Sequence, residues 1–408
     1  MEFISHSGAK AGTPNAHQLV IGGHRILLDC GAGGAGSGYL DSLPRPDAVW
    51  ISHAHGDHCG ALLELLGRWP RLKVLAAAGG SPLIAWSLGK EGVLERRILP
   101  VPWQRFREIP GCPGLRMMAL PAGHVPGAAM VVLEVEEQGQ PRRVLYTGDF
   151  CTHDQAVVRG AGVPARQGGF PIDAVISEAM LANEREADQV EWSQEAAALV
   201  EDLRGDGPSL VGVASLGESA EVCAILAAAG IEPMIDASLR AVLELCPGLP
   251  DEVLAMSFGD WRRMRGRLRG GGVVIARGDQ WRSRSAVHRL AAELLSDREA
   301  TVVVLNRARQ STPAGRLVAA GRGESLKWSG RTVELAAGVA HRRLINHAPR
   351  WALMAMLQAV GAPVNLLVHG PTGARWALKR ALEKEGFSGS IEVVERRRSY
   401  PIGSPEST

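Results

Sequence analysis

Short apolar runs alternate along this chain with stretches whose apolar residues recur every three or four positions, a pattern of strands interleaved with helices. Segments 18–21 and 25–28 flank Gly22-Gly23 and predict a β-hairpin. The run Ala48-Val49-Trp50-Ile51 predicts a buried strand, followed by a helix over 60–67 and a strand over 73–77. Segments 131–135 and 143–146 bracket a charged, glycine-containing turn and predict a second hairpin. From 189 to 203 the spacing turns helical. Segments 210–214, 218–229, 273–276, 285–295 and 301–305 then read as strand, helix, strand, helix, strand. That alternation implies a parallel α/β lobe. A helix over 350–360, a short strand over 364–368 and a helix over 373–385 close the pattern. The expected organisation is a lobe inserted into another: a core over 1–190, an insertion over 191–335, and a return to the core over 336–408.

Bulk properties narrow the class. A chain of 408 residues exceeds one ordinary core and suits two lobes, and at 46% apolar it is neither disordered nor fibrous. No uncharged apolar run reaches about 18 residues, and Met1-Glu2-Phe3-Ile4-Ser5-His6 does not read as a signal peptide, so no membrane association is expected. Cysteines 30, 59, 112, 151, 223 and 246 lack metal-ligand or disulfide-framework spacing and read as reduced thiols of a cytoplasmic protein. A formal charge of +2 says little about partners, but its distribution says more. Five arginines between Arg262 and Arg269 follow Trp261 and would either clamp phosphates or form a solvated helix face. A second set, Arg277, Trp281, Arg282 and Arg284, follows a strand and is a candidate substrate contact.

The candidate chemistry concentrates in Ser52-His53-Ala54-His55-Gly56-Asp57-His58, directly after the 48–51 strand. Only 12 histidines are spread over the chain, so three within this stretch point to a purpose. Imidazole nitrogen and carboxylate oxygen suit zinc and its neighbours. In an extended segment His53, His55 and Asp57 would share one face, while His58 turns onto the next element. One ligand group could then face one metal while Asp57 and His58 face a second.

This HxHxDH pattern resembles the signature of the metallo-β-lactamase superfamily. Further motifs follow in order: Asp29-Cys30-Gly31, Ala122-Gly123-His124-Val125-Pro126-Gly127-Ala128-Ala129, and Thr147-Gly148-Asp149-Phe150. The surroundings of His124 resemble the β-CASP nucleic-acid-processing branch, which includes the pre-mRNA 3′-end cleavage nuclease and small bacterial RNA-degrading relatives. Three later positions also match that branch: Glu178 after Val175-Ile176-Ser177, His347 after Leu344-Ile345-Asn346, and His369 after Leu366-Leu367-Val368.

The resemblance implies an α/β fold, a metallo-β-lactamase αββα sandwich carrying an inserted parallel α/β β-CASP cap. It also implies two zinc ions, one held by His53, His55 and His124 and the other by Asp57, His58 and His369, with Asp149 bridging and Asp29 a buried buttress. Two cations about 3.5–4 Å apart can share a hydroxide that attacks a phosphodiester. Asp57, His347 and Glu178 are the expected catalytic residues, His347 as general acid held protonated by Glu178.

The expected function is a zinc-dependent ribonuclease acting on single-stranded RNA, with DNA an alternative substrate. The oligomeric state stays open, a homodimer being one option. There are departures from the family pattern. Asn346 and Pro349 flank His347 where relatives carry Ala and Asp, Pro371 follows Gly370 where they carry Glu, and Glu218 replaces the arginine of Gly-Arg-Ala-Gln-Glu. These favour a second reading, a metal-binding but weakly active RNA-binding or partner subunit. A third reading, a small-molecule hydrolase on the same core, fits the inserted lobe poorly.

Overall fold

The computed structural model describes residues 1–6, 13–33, 37–164 and 170–403, which fold as two compact units. The first unit comprises Met1–Asp154, Arg159–Gln189 and Asn346–Thr408. Among its described residues, two seven-stranded sheets lie face to face. One sheet runs in the order Ser399–Pro401, Glu2–Ser5, His17–Ile21, His24–Leu28, Ala48–Ile51, Lys73–Ala77, Ile98–Val101. The other runs Ser390–Val393, Val364–Leu367, Ala174–Ser177, Gln140–Tyr146, Ala129–Glu137, Cys112–Pro121, Arg107–Ile109. The hairpin across Gly22-Gly23 forms with His17 opposite Leu28, as the turn residues require.

Alternating positions from both sheets fill the space between them, among them Phe3, Leu28, Trp50, Leu133, Tyr146 and Leu366. Helices such as Leu62–Arg68 and Thr372–Lys384 follow the strands and bury one face each. This is the αββα sandwich. Leu133 is fully buried in it, so Leu133→Ala should cost about 2–5 kcal/mol in chemical denaturation. A loss below about 1 kcal/mol would show that the two sheets are not close-packed there.

The second unit comprises Gln155–Val158 and Val190–Ile345. Its six-stranded sheet runs Ser257–Gly259, Met234–Asp236, Val273–Arg277, Ser209–Val213, Thr301–Leu305, Gly338–Arg342, and every neighbouring pair is parallel. The return to the core therefore falls at 346 and not at 336, because Gly338–Arg342 hydrogen-bonds along Thr301–Leu305 and completes the inserted sheet. A local pattern read over 331–345 shows a strand but not its pairing partner. No helix among the described residues is long and apolar enough to cross a membrane.

Glu221, on the Glu218–Ala228 helix, accepts hydrogen bonds from Val157 N at 3.0 Å and Val158 N at 3.2 Å. Burial pushes its carboxyl up from 4.5 to about 7. The folded state thus holds the proton more tightly than the unfolded chain. The linked stability is fully present below pH 4.5 and is lost as pH rises through 7, amounting to about 3 kcal/mol. Glu221→Gln should flatten that segment of the pH–stability curve, measured as urea midpoints. An unchanged slope would remove Glu221 as its source.

Candidate metal centre

The candidate ligands gather at one end of the sandwich because each follows the carboxyl end of a strand. His53 follows Ala48–Ile51, His124 follows Cys112–Pro121, and Asp149 follows Gln140–Tyr146. Glu178 follows Ala174–Ser177, and His369 follows Val364–Leu367, which pairs in parallel with it. Two glycines let the loops approach closely. Gly148 has φ 52°, and a Cβ there would lie 2.7 Å from Ser52 Cβ; Gly370 has φ 110°, and a Cβ there would lie 3.0 Å from Ala179 backbone.

One expectation needs correcting. Extended backbone ends at His55, which caps the short helix Gly56–Cys59, so Asp57 does not share the face of His53 and His55. It turns with His58 toward His369 instead. Two candidate ligand groups result, His53/His55/His124/Asp149 and Asp57/His58/His369, and a third, Asp149/Glu178/His347, adjoins them, the atoms within each lying inside 4.8 Å of one another.

Distances fix the arrangement more closely. His53 Nε2 lies 3.0 Å from His55 Nδ1, and His124 Nε2 lies 3.2 Å from the same atom. The Asp149 carboxylate stands between the groups, with Oδ2 at 3.2 Å from His58 Nε2 and at 3.8 Å from both His53 Nε2 and His124 Nε2. Its Oδ1 is 3.5 Å from His369 Nε2.

Outer partners orient these groups. Asp29 is fully buried at φ 59° and accepts from Ser52 N at 2.7 Å, Ser52 Oγ at 2.7 Å and Tyr146 Oη at 2.6 Å. It also holds His58 Nδ1 at 2.7 Å, leaving Nε2 for the site. His124 Nδ1 donates to Asn346 O at 2.8 Å, which fixes that ring the same way.

The residues present fit cations. Burial above all holds His53 and His124 well below the ordinary histidine range, hence as neutral imidazoles, the form that binds metal. Neutral nitrogens at 3.0–3.2 Å cannot all satisfy one another, and a shared positive centre resolves the conflict. Asp149 Oδ1 and His369 Nε2 are buried without a hydrogen-bond partner, aimed at each other. Burial opposes charge on His58, yet Asp149, Asp29 and Asp57 outweigh it and raise its pKa well above the ordinary value. Burial likewise opposes charge on Asp149, but His369 and His58 outweigh it and hold the carboxylate ionised.

Beside the ligands, His347 Nδ1 lies 3.0 Å from Glu178 Oε1 and 3.2 Å from Oε2. Burial opposes its charge, but the Glu178 carboxylate prevails and lifts the imidazole to about 9. Glu178 is itself fixed by Phe150 N at 2.8 Å and Met180 N at 3.1 Å.

The departures near these histidines are locally compensated. Asn346 engages His124 through its backbone oxygen, which any side chain would provide. Pro349 caps the Arg350–Val360 helix but cannot accept a side-chain bond; Asp188 accepts from Arg350 N at 3.0 Å instead and pairs with its guanidinium at 2.7 Å. Sequence reasoning missed Ser52, Tyr146, Asp188 and Asn15 as partners of the site. Ser52 stands at the head of the His53–His58 motif, whereas the other three reach the site from segments distant from that motif in the sequence.

The inserted unit treats its candidates differently. Arg277 and Arg282 line a cavity of about 520 Å³ with Arg289, Ser215 and Ser285, at the carboxyl ends of adjacent parallel strands. Arg282 is solvent-facing and 3.4 Å from Asp279; Arg284 is exposed at φ 76°. Trp281 does not offer its ring to a base. Positive φ at Gln280 and Trp281 turns it inward, where it is 2% exposed and packs edge-on to Trp328. In the Trp261–Arg269 helix Met264 and Leu268 are buried, and Arg265 and Arg269 are answered by Glu293, the pattern of a solvated face. Glu218, in the place of the family arginine, accepts from Ala214 N at 2.7 Å and Asn306 Nδ2 at 2.6 Å and so faces the protein interior.

Comparison with known proteins agrees with this geometry. A family model described as a β-lactamase superfamily domain matches residues 24–211. The cleavage and polyadenylation specificity factor 73 of Drosophila melanogaster is 28% identical over 233 residues, 51% of this chain and 33% of the relative. A ribonuclease of Thermus thermophilus is 30% identical over 187 residues, 40% of this chain and 41% of the relative. The chain thus spans roughly a third to two-fifths of the length of these curated relatives. A crystal structure of a protein of unknown function from Enterococcus faecalis superposes with a TM-score of 0.62 at 11% identity, covering 98% of this chain and 99% of that one, a likeness of fold. Residues 24–211 thus match a β-lactamase superfamily domain, and in sequence the chain is similar to nucleases of the β-CASP branch of the metallo-β-lactamase superfamily.

Proposed function

We propose that the chain is a zinc-dependent ribonuclease that hydrolyses phosphodiester bonds of single-stranded RNA in a cytoplasmic setting. The observation that carries this reading is a complete His/Asp ligand set beside a histidine held protonated by a buried carboxylate, His347 with Glu178 at 3.0 Å. His53, His55, His124 and Asp149 would hold one zinc, and Asp57, His58, His369 and Asp149 the other. Bound there, the ions would supply Lewis-acid stabilisation of a phosphodiester's developing charge and a nucleophile active near neutral pH.

The chain's own residues supply the remainder. Glu178 occupies Nδ1 of His347, so Nε2–H is the donor left to protonate the leaving oxygen. Asp29 and Asn346 hold His58 and His124 with Nε2 directed inward. Arg277, Arg282 and Arg284 would bind the phosphate backbone by charge-assisted hydrogen bonds. The ribonuclease names of the relatives support RNA over DNA as substrate.

The test combines metal content with cleavage of labelled single-stranded RNA and DNA by the purified chain. About two zincs per chain and RNA cleavage are expected. Two zincs with DNA cleavage alone would reassign the substrate, and two zincs with no cleavage of either polymer would leave a metal-binding partner subunit.

A further inference from the structure

We infer that Asn15 is an additional member of the second ligand group, offering its carboxamide oxygen beside Asp57, His58 and His369. This rests on the metal reading above and extends it by one residue. Asn15 is 2% exposed and is fixed between the ligand loops: its N–H donates to Asp57 O at 2.7 Å and its carbonyl accepts from Gly31 N at 2.9 Å. Cys30 N donates in turn to His58 O at 2.7 Å, so three segments of the site are stitched at this point. The freedom left to Asn15 is its side chain.

That side chain ends at the ring of His58, its amide nitrogen 3.0 Å from Nε2. The other ring nitrogen is taken by Asp29 at 2.7 Å, so Nε2 is the atom that faces the site, 3.2 Å from Asp149 Oδ2. A cation held by Nε2 would occupy that nitrogen's lone pair and leave the Asn15 amide nothing to donate to. The amide N–H group would then point at a positive charge with no acceptor behind it. A half-turn about the last side-chain bond exchanges nitrogen for oxygen at the same place, since the carboxamide is nearly symmetric in shape. The oxygen then meets the charge. A purely architectural role would be filled by the two backbone bonds, which alanine retains.

The test is a zinc titration of metal-free protein against a chromophoric chelator, run on wild type, Asn15→Ala and Asn15→Asp. Melting of the metal-free proteins serves as the folding control. Wild type should take up two ions. Asn15→Ala should keep one at wild-type affinity and hold the other about 10–100-fold more weakly, with unchanged metal-free melting. Asn15→Asp, which restores an oxygen donor, should bind both. Two ions at wild-type affinity in Asn15→Ala would overturn the inference while leaving the metal reading intact, and so would an Asn15→Asp as weak as Asn15→Ala. No zinc uptake by wild type would overturn both.

Discussion

Replacing Asp149 with alanine is expected to strip both cations from the purified protein and reduce RNA cleavage to background. Its carboxylate is 4% exposed and meets His58 at 3.2 Å, His369 at 3.5 Å, and His53 and His124 at 3.8 Å. Its two oxygens thus reach imidazoles of both candidate ligand groups. Without it, inward-facing imidazoles would share a buried space with reduced negative charge to offset a divalent ion. Removing an outer partner of a ligand typically weakens metal binding about 10–100-fold, and loss of a shared ligand should exceed that. Elemental analysis of dialysed protein beside a cleavage assay decides the matter. Asp149→Asn, which keeps the shape and removes the charge, should behave like alanine. Two ions per chain retained in either variant would remove Asp149 from the bridging position.

His347→Ala should separate proton transfer from metal binding. The imidazole lies outside both ligand groups that would hold the zincs, and its partner is Glu178. Loss of a positioned proton donor costs about 10²–10⁴ in rate, so kcat should fall by that factor while metal content stays at the wild-type value. A variant that loses its zincs would make His347 a ligand, in keeping with its closeness to Asp149 and Glu178. A variant that cleaves RNA at the wild-type rate would deprive it of any part in the reaction.

The departures around His347 bear on whether these experiments find an active enzyme. Read in sequence, Asn346 and Pro349 suggest a weakened site. In the structure the relevant contact of Asn346 is a backbone carbonyl, and the capping function absent at Pro349 is supplied by Asp188, distant in sequence. The changes therefore leave the positions of His124 and His347 supported. Glu218 is a different case, because its carboxylate is committed to Ala214 and Asn306 and cannot do what an exposed arginine would do.

Local order along the chain carried the strands, most helices and the candidate ligands. A strand's apolar run and a metal site's demand for imidazole and carboxylate are both written in neighbouring residues, as in Ala48 to His58. The fold class followed from the same patterns together with the resemblance they support. Tertiary structure alone decided which distant segments meet. Pairing of Val364–Leu367 with Ala174–Ser177 carries His369 to Asp149, and pairing of Gly338–Arg342 with Thr301–Leu305 moves the end of the insertion to 345. Trp281 enters a core where its charged neighbours suggested a surface, and Asn15 arrives at His58 across an interval that no local motif spans. The division has one physical cause. Periodicity records which face of an element is apolar, whereas the partner of that face is chosen by packing and hydrogen bonding between segments far apart in the chain.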